Sequence, residues 1–251
     1  MSTPLVSVIT TIYNCENFIE ESLESVFNQT FKDFEFIIYD DASTDRTMQV
    51  VADFLRNNNK KFDGLVTVIH GEKNVGCGEG RNRAIDTSIS RYVAIHDGDD
   101  ISYSNRIEKE VKILESNPDL FCVGSWADVI NAKSEKIESF DYPPKHHNQI
   151  VEDIYKMINP IIDPSTLFRR EVFNELGCYD TYYNLVPDYC LWTKALYHGC
   201  VFTNIQEKLI SYRKHDNSNM GKFWREALKQ HKSIYNYMVA KYKKEVFFRD
   251  S

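Results

Sequence analysis

A chain of 251 residues, 42% apolar and 27% charged, has an ordinary folded composition and enough length for a substantial core, which excludes disorder and fibrous repeats. Its net charge of −7 argues against nucleic acid as a partner. The six cysteines (15, 77, 122, 178, 190 and 200) form no C-x-x-C pair, against a zinc ribbon or redox motif, and are expected as reduced, mainly buried thiols.

The opening run, M-S-T-P-L-V-S-V-I-T-T-I-Y-N, lacks the basic stretch of a signal peptide. No segment approaches the roughly 18 apolar residues of a membrane span, so a cytoplasmic protein is expected. Val6–Tyr13 reads as the first buried strand, followed by a helix whose Phe18, Ile19, Leu23, Val26 and Phe27 share one face. Glu35–Tyr39 is a second strand. Met48, Val51, Ala52 and Leu55 stripe a second helix, with Ser43 as the expected N-cap. Val66–His70 is a third strand, with a helix after the Gly-rich stretch 76–80, and Tyr92–His96 is a fourth. Ile107, Val111 and Leu114 mark a fourth helix. Such alternation implies right-handed βαβ units on a mostly parallel sheet flanked by helices.

Beyond about residue 120 the pattern loosens. A strand over Phe121–Ile130 is expected before a charged loop, 131–148, and a helix carrying Ile150, Ile154 and Met157. An extended piece around Ser165–Phe168, short helices near 171–176 and 188–198, and two strands, Val201–Ile205 and Leu209–Arg213, complete the region. No linker or repeat divides the chain. We expect one domain over 1–216, built of a regular half, 1–100, and a looser half, 101–216. Residues 217–251 are expected as a basic helical tail: Lys222–Glu245 carries net +5, so residues 1–221 carry −12.

Ligands in such sheets sit beyond the carboxyl ends of the strands. There the first strand carries Thr11 and Tyr13, the second Asp40-Asp41, and the fourth Asp97-Gly98-Asp99-Asp100. A calcium loop beginning at Asp97 places Asp99 and Glu108 correctly, but puts Ser102 where Gly is needed. Gly76-Cys77-Gly78-Glu79-Gly80-Arg81 has neither dinucleotide-binding nor P-loop spacing. By itself it reads as a flexible turn with Arg81 in a surface ion pair, although Arg81 and Arg83 near the rim could equally face a diphosphate. A hard divalent cation held by a carboxylate pair and by substrate phosphates accounts for the acidic cluster.

Seven blocks carry a family resemblance over about residues 4–216. They are V-S-V-I-T-T-I-Y-N (6–14), Y-D-D-A-S-T-D (39–45), N-x-G-x-G-x-G-R-N (74–82), D-G-D-D (97–100), F-R-R-E-V-F-N-E-L-G-C-Y-D (168–180), and P-D-Y-C-L-W (187–192) with S-Y-R-K-H (211–215). Together they resemble the inverting glycosyltransferases of family 2, with the GT-A fold, which implies residues 1–100 as the nucleotide-binding half and 101–216 as the acceptor-side half. The resemblance implies that Thr11 and Tyr13 line the base pocket and that Asp41 accepts from the uracil N–H, a contact a thymine base would also make. Arg81 would touch the nucleotide, Asp97 the ribose, and Asp99 with His215 a Mn2+ or Mg2+ bridging the diphosphate. Asp188 matches the Asp of an E-D pair, the general base, while Pro187 replaces the Glu. Out of context, Asp188 reads as a helix N-cap and His215 as a surface or satisfied buried histidine.

The expected activity is transfer from a UDP-sugar to a hydroxyl of a glycan or lipid-linked acceptor in surface polysaccharide synthesis. A sugar nucleotidyltransferase is the enzymatic alternative, but its Gly-rich basic loop is missing after the first strand. A non-catalytic nucleotide-sugar-binding subunit is the other; it would need no base at 188. In the tail, Phe223, Ala227, Ile234, Met238 and Tyr242 are spaced as an apolar stripe among lysines if the segment is helical. That stripe suits a helix lying on an anionic membrane face or one packed on the domain.

Overall fold

The computed structural model describes residues 3–58, 65–215 and 219–241, with side chains of 219–224 and 238–241 left aside. The first half is four parallel strands: β1 (Val6–Ile12), β2 (Phe34–Asp40), β3 (Val66–His70) and β4 (Tyr92–Asp97). They lie side by side in the order β3-β2-β1-β4, with Thr11 in register with Tyr39 on one side and Asp97 on the other. Alternate residues of these strands enter two different cores, as in a sheet covered on both faces. Val8, Ile12 and Phe36 meet Leu23, Val51 and Val111 from α1 (Ile19–Phe27), α2 (Thr47–Asn58) and α4 (Arg106–Ser116). Ile9, Ile37 and Val93 meet the other face, which begins with Ala84 and Ile85 of α3 (Cys77–Thr87).

The second half extends the same sheet with antiparallel pairs. It comprises β5 (Ile101–Ser102), β6 (Leu120–Ile130), β7 (Lys136–Phe140), α5 (His147–Tyr155), β8 (Leu167–Arg169), α6 (Val172–Leu176), α7 (Pro187–Tyr197), β9 (Val201–Arg213) and α8 (Asn219–Lys241). From β4 the sheet continues β8-β6-β9-β5, with β7 on β6. β8 runs antiparallel to both β4 and β6, whereas β6 and β9 are parallel. The result is a mixed sheet in one α/β domain.

Several elements depart from expectation. Ser43 does not cap α2: its hydroxyl accepts from the Asn14 N–H at 3.1 Å, while Asp45 Oδ1 accepts from Thr47 N at 2.9 Å. The loop 131–148 contains β7, whose first three residues are exposed and so carry no apolar alternation. The two strands expected over 201–213 are one, β9, whose register against β6 jumps from Ser125–Ile205 to Trp126–Lys208. The polar Gln206 and Glu207 form that irregularity, and they break the apolar run that a continuous strand would show.

The helix after β3 begins at Cys77, within the Gly-rich stretch, so Gly78 and Gly80 are helical. A Cβ on Gly80 would lie 2.6 Å from Thr11 Cγ2 and 2.9 Å from Tyr39 Cδ1. On Gly78 it would lie 3.2 Å from Cβ of Pro187. These glycines let α3 close onto the sheet and onto the start of α7. In the tail, Ala227 and Ile234 of α8 are buried in the same core as α7, the ordinary packing that the sequence left open. The side chains of Phe223 and Met238, and the whole of Tyr242, lie outside the described residues.

Candidate active site

The strand ends deliver their polar groups to one rim. The Asp97–Asp100 turn is held from beneath by His96, whose Nε2 and Nδ1 meet Ser22 Oγ at 2.8 Å and Ser102 Oγ at 3.0 Å. Burial, with Arg106 nearby, pushes the pKa of this histidine down to about 3, so it is a neutral strut rather than a charge at the rim. The buried Arg213 of β9 clamps the turn. Its backbone N donates to Asp100 Oδ1 at 2.8 Å, and its Nε to the Asp99 carbonyl at 2.6 Å. Its guanidinium reaches Glu21 at 2.7 Å and lies over the ring of Phe18.

Asp99 itself points outward. Its Oδ2 lies 2.8 Å from His215 Nε2, and the His215 ring packs 4.7 Å from that of Phe18. Asp97 instead faces Arg81, whose NH2 donates to its Oδ1 at 2.6 Å. Arg81 is 4% exposed, so its ion pair is buried and not the surface pair that the Gly-rich stretch by itself suggests. Its other terminal nitrogen pairs with Asp163 at 2.5 Å, and its guanidinium sits over the ring of Tyr179, whose hydroxyl donates to Asp163 at 3.0 Å. Arg83 faces away from this group and bonds Glu79 and Tyr39.

Carboxyl groups outnumber guanidinium groups in the cluster, so they raise one another's hold on protons. Burial raises Asp97, with Arg81 pulling it back and Asp99 pushing it further up. Burial and then the Asp99 and Asp97 charges raise Asp100 well above the carboxylate range. Burial lifts Asp163 to about 7 against the pull of Arg81. Such a surplus favours a cation at the open edge of the rim.

Among the described residues no group of three or more His, Cys, Asp or Glu side chains is arranged to hold a metal ion. Asp99 and His215 nevertheless supply two adjacent donors of suitable chemistry, a carboxylate and an imidazole. They fit a Mn2+ or Mg2+ that draws its other ligands from water and a diphosphate.

Asp41, 2% exposed, spends both carboxylate oxygens on the loop before α3. It accepts from Val75 N at 2.7 Å and Gly76 N at 2.8 Å. Each oxygen keeps a second lone pair. Thr11 Oγ1 is buried without a hydrogen-bond partner among the described residues, and Tyr13 is 48% exposed. Asp188 lies in the first turn of α7, whose N-cap is Val186 and not Asp188. Its Oδ2 accepts from Asn159 Nδ2 at 2.6 Å.

The model of glycosyl transferase family 2 matches residues 7–177. The chain belongs to this family. The match includes Thr11, Asp41, Arg81, Asp97 and Asp99, and ends before Asp188 and His215. An uncharacterised glycosyltransferase of Methanocaldococcus jannaschii is 31% identical over 215 residues, covering 85% of this chain and 72% of that protein. The putative teichuronic acid biosynthesis glycosyltransferase TuaG of Bacillus subtilis is 29% identical, covering 90% of this chain and 85% of the relative. Among solved structures, S. aureus TarS in complex with UDP-GlcNAc is similar with a TM-score of 0.74 at 18% identity, over 95% of this chain and 67% of that one. The mannosyltransferase PcManGT from Pyrobaculum calidifontis, in complex with GDP-Man and Mn2+, gives 0.70 at 20% identity, over 96% and 66%. The fold of this glycosyl transferase is therefore GT-A, and the chain spans about two thirds of those structures.

Asp163, Asn159 and Tyr179 were missed as site residues in the sequence. A signal for Asp163 exists: a carboxylate inside Ile161-Ile162-Asp163-Pro164 needs a buried partner, and Arg81 is that partner. Asn159 carries no comparable signal, since an Asn before Pro is ordinary turn chemistry.

Proposed function

We infer that this glycosyl transferase moves a sugar, with inversion, from a UDP-sugar to a hydroxyl of a glycan or lipid-linked acceptor in surface polysaccharide synthesis, using Mn2+ or Mg2+. The observation that carries this reading is the pairing of two acidic centres on one rim. Asp99 with His215 stands at the edge of the sheet, and Asp188 stands on α7, near enough for its charge to push up both Asp97 and Asp163. An inverting transfer is one in-line displacement at the anomeric carbon. The bond to the diphosphate oxygen breaks as the bond to the acceptor oxygen forms, and the acceptor proton goes to Asp188. The cation, when bound, neutralises charge on the departing diphosphate. Asp97 and Arg81 would hold the nucleoside end, with Thr11, Tyr13 and Asp41 around the base.

UDP as the leaving nucleotide is supported by the UDP and UDP-GlcNAc complexes of TarS, and a divalent ion by the Mn2+ complex of PcManGT. The polysaccharide context is supported by the name of TuaG. A binding subunit without chemistry is the competing reading. Incubation with a panel of UDP-, dTDP- and GDP-sugars and Mn2+ should give donor-specific release of UDP, accelerated by acceptor. Tight donor binding with no nucleotide released from any donor would replace the enzyme by a binding protein.

Peripheral membrane contact is a further part of this reading. No helix among the described residues is long and apolar enough to cross a membrane. On α8, Arg225, Leu228, Lys229 and Lys232 follow i, i+3, i+4, i+7 and are exposed, opposite the buried Ala227 and Ile234. Basic residues near an anionic surface contribute about 1 kcal/mol each. Co-sedimentation with liposomes should rise with anionic lipid and fall in a Lys229→Glu, Lys232→Glu variant. Binding indifferent to lipid charge would remove the membrane contact.

A further inference from the structure

One short stretch of chain touches both the candidate base and the donor-side arginine. At its start, Asn159 Nδ2 donates to Asp188 Oδ2 at 2.6 Å. At its end, Asp163 pairs with Arg81 at 2.5 Å, and Arg81 in turn holds Asp97. Between them Pro160, Ile161 and Ile162 are buried. The stretch is pinned to the sheet once within it and once just past its end. The Pro160 carbonyl accepts from Asn204 Nδ2 of β9 at 3.1 Å, and Ser165 Oγ donates to the Ser125 carbonyl of β6 at 3.2 Å. The Asn159 amide is oriented as well, because its Oδ1 accepts from Ile161 N at 3.4 Å and so turns Nδ2 toward the carboxylate.

Nothing in α7 does this for Asp188. The helix has Val186 as N-cap with no side-chain cap bond, and Pro187 beside the carboxylate offers neither an N–H nor an acidic side chain. We propose that Asn159 is a positioning residue for sugar transfer. It fixes Oδ2 of Asp188 and leaves Oδ1 to take the acceptor proton, while the stretch 159–163 sets that oxygen at a constant distance from the donor pocket through Asp163 and Arg81. This rests on Asp188 being the base. A base displaced by about 1 Å costs on the order of a hundredfold in rate, so a brace built into the sheet has a measurable consequence.

The test is single-turnover transfer at saturating UDP-sugar, Mn2+ and acceptor, beside calorimetric UDP affinity and a melting curve for each variant. Asn159→Ala should transfer about tenfold to a hundredfold more slowly with UDP affinity unchanged. In an Asp188→Asn background the same change should cost nothing further, because a base that is gone cannot be mispositioned. A purely structural asparagine would slow both backgrounds alike, and that result overturns the proposal. Asn159→Asp keeps the shape but sets a second carboxylate against the first; wild-type turnover in that variant also overturns it. If Asp188→Asn alone keeps wild-type turnover, the base reading has failed, and this inference with it. If Asp188→Asn is slow and Asn159→Ala is not, only the brace has failed.

Discussion

Replacing Asp99 by Asn is expected to abolish Mn2+-dependent binding of UDP while leaving the domain folded. Oxygen-seeking divalent cations bind carboxylates far better than amides, and Asp99 is the carboxylate that stands at the open edge of the rim. Asp97 is engaged by Arg81, and Asp100 is buried against the backbone of Arg213. Loss of a direct ligand should exceed the roughly 10–100-fold cost of losing an outer-shell partner of a metal ligand. The variant keeps its local supports. The Arg213 Nε bond goes to the Asp99 backbone carbonyl, and an amide oxygen can still meet His215 Nε2. Removing the charge also relieves Asp97 and Asp100, both of which Asp99 pushes upward. Calorimetry of UDP with and without Mn2+ decides the matter, with a melting curve of the same sample. An unchanged gain in UDP affinity on adding Mn2+ would mean that Asp99 is not the ligand.

The half of the molecule that the chain announces most clearly is the parallel half. Val6–Ile12 and Phe34–Asp40 are apolar runs ending in polar residues, and a sheet covered on both faces requires such runs. The convergence of Thr11, Asp41 and Asp97 follows from topology once the strands are parallel, which is why the rim was legible. Close packing was not. Gly78 and Gly80 look like a flexible loop in one dimension, yet they are helical, and they are glycines because a Cβ on Gly80 would strike Thr11 and Tyr39 and one on Gly78 would crowd Pro187. The same one-dimensional view hides the partners of charged groups. Arg81 is 16 residues from Asp97 but 82 from Asp163, and Asn159 is 29 residues from Asp188. No local pattern records contacts of that separation, so the acidic cluster could be read while its supports could not.

Asp188→Asn should lower single-turnover transfer by about two to four decades, the usual range for removal of a general base, with UDP affinity and melting temperature nearly unchanged. The amide has almost the shape of the carboxylate but cannot accept the acceptor proton. The surroundings tolerate the change. An Asn at 188 keeps an oxygen for the Nδ2 proton of Asn159, and α7 takes its N-cap from Val186, so no cap is lost. What is lost is a negative charge in the first turn of the helix, typically about 0.3–1 kcal/mol. Against that, Asp97 and Asp163 are freed from a carboxylate that pushes both of them up. The two small terms oppose each other, so a large effect on rate would arise in the chemical step rather than in folding. A binding subunit predicts no transfer in either form, since such a protein has no turnover for position 188 to control. Wild-type transfer by a folded Asp188→Asn protein would leave the inverting mechanism without a base on α7. The carboxylate that accepts the proton would then have to be sought elsewhere on the rim.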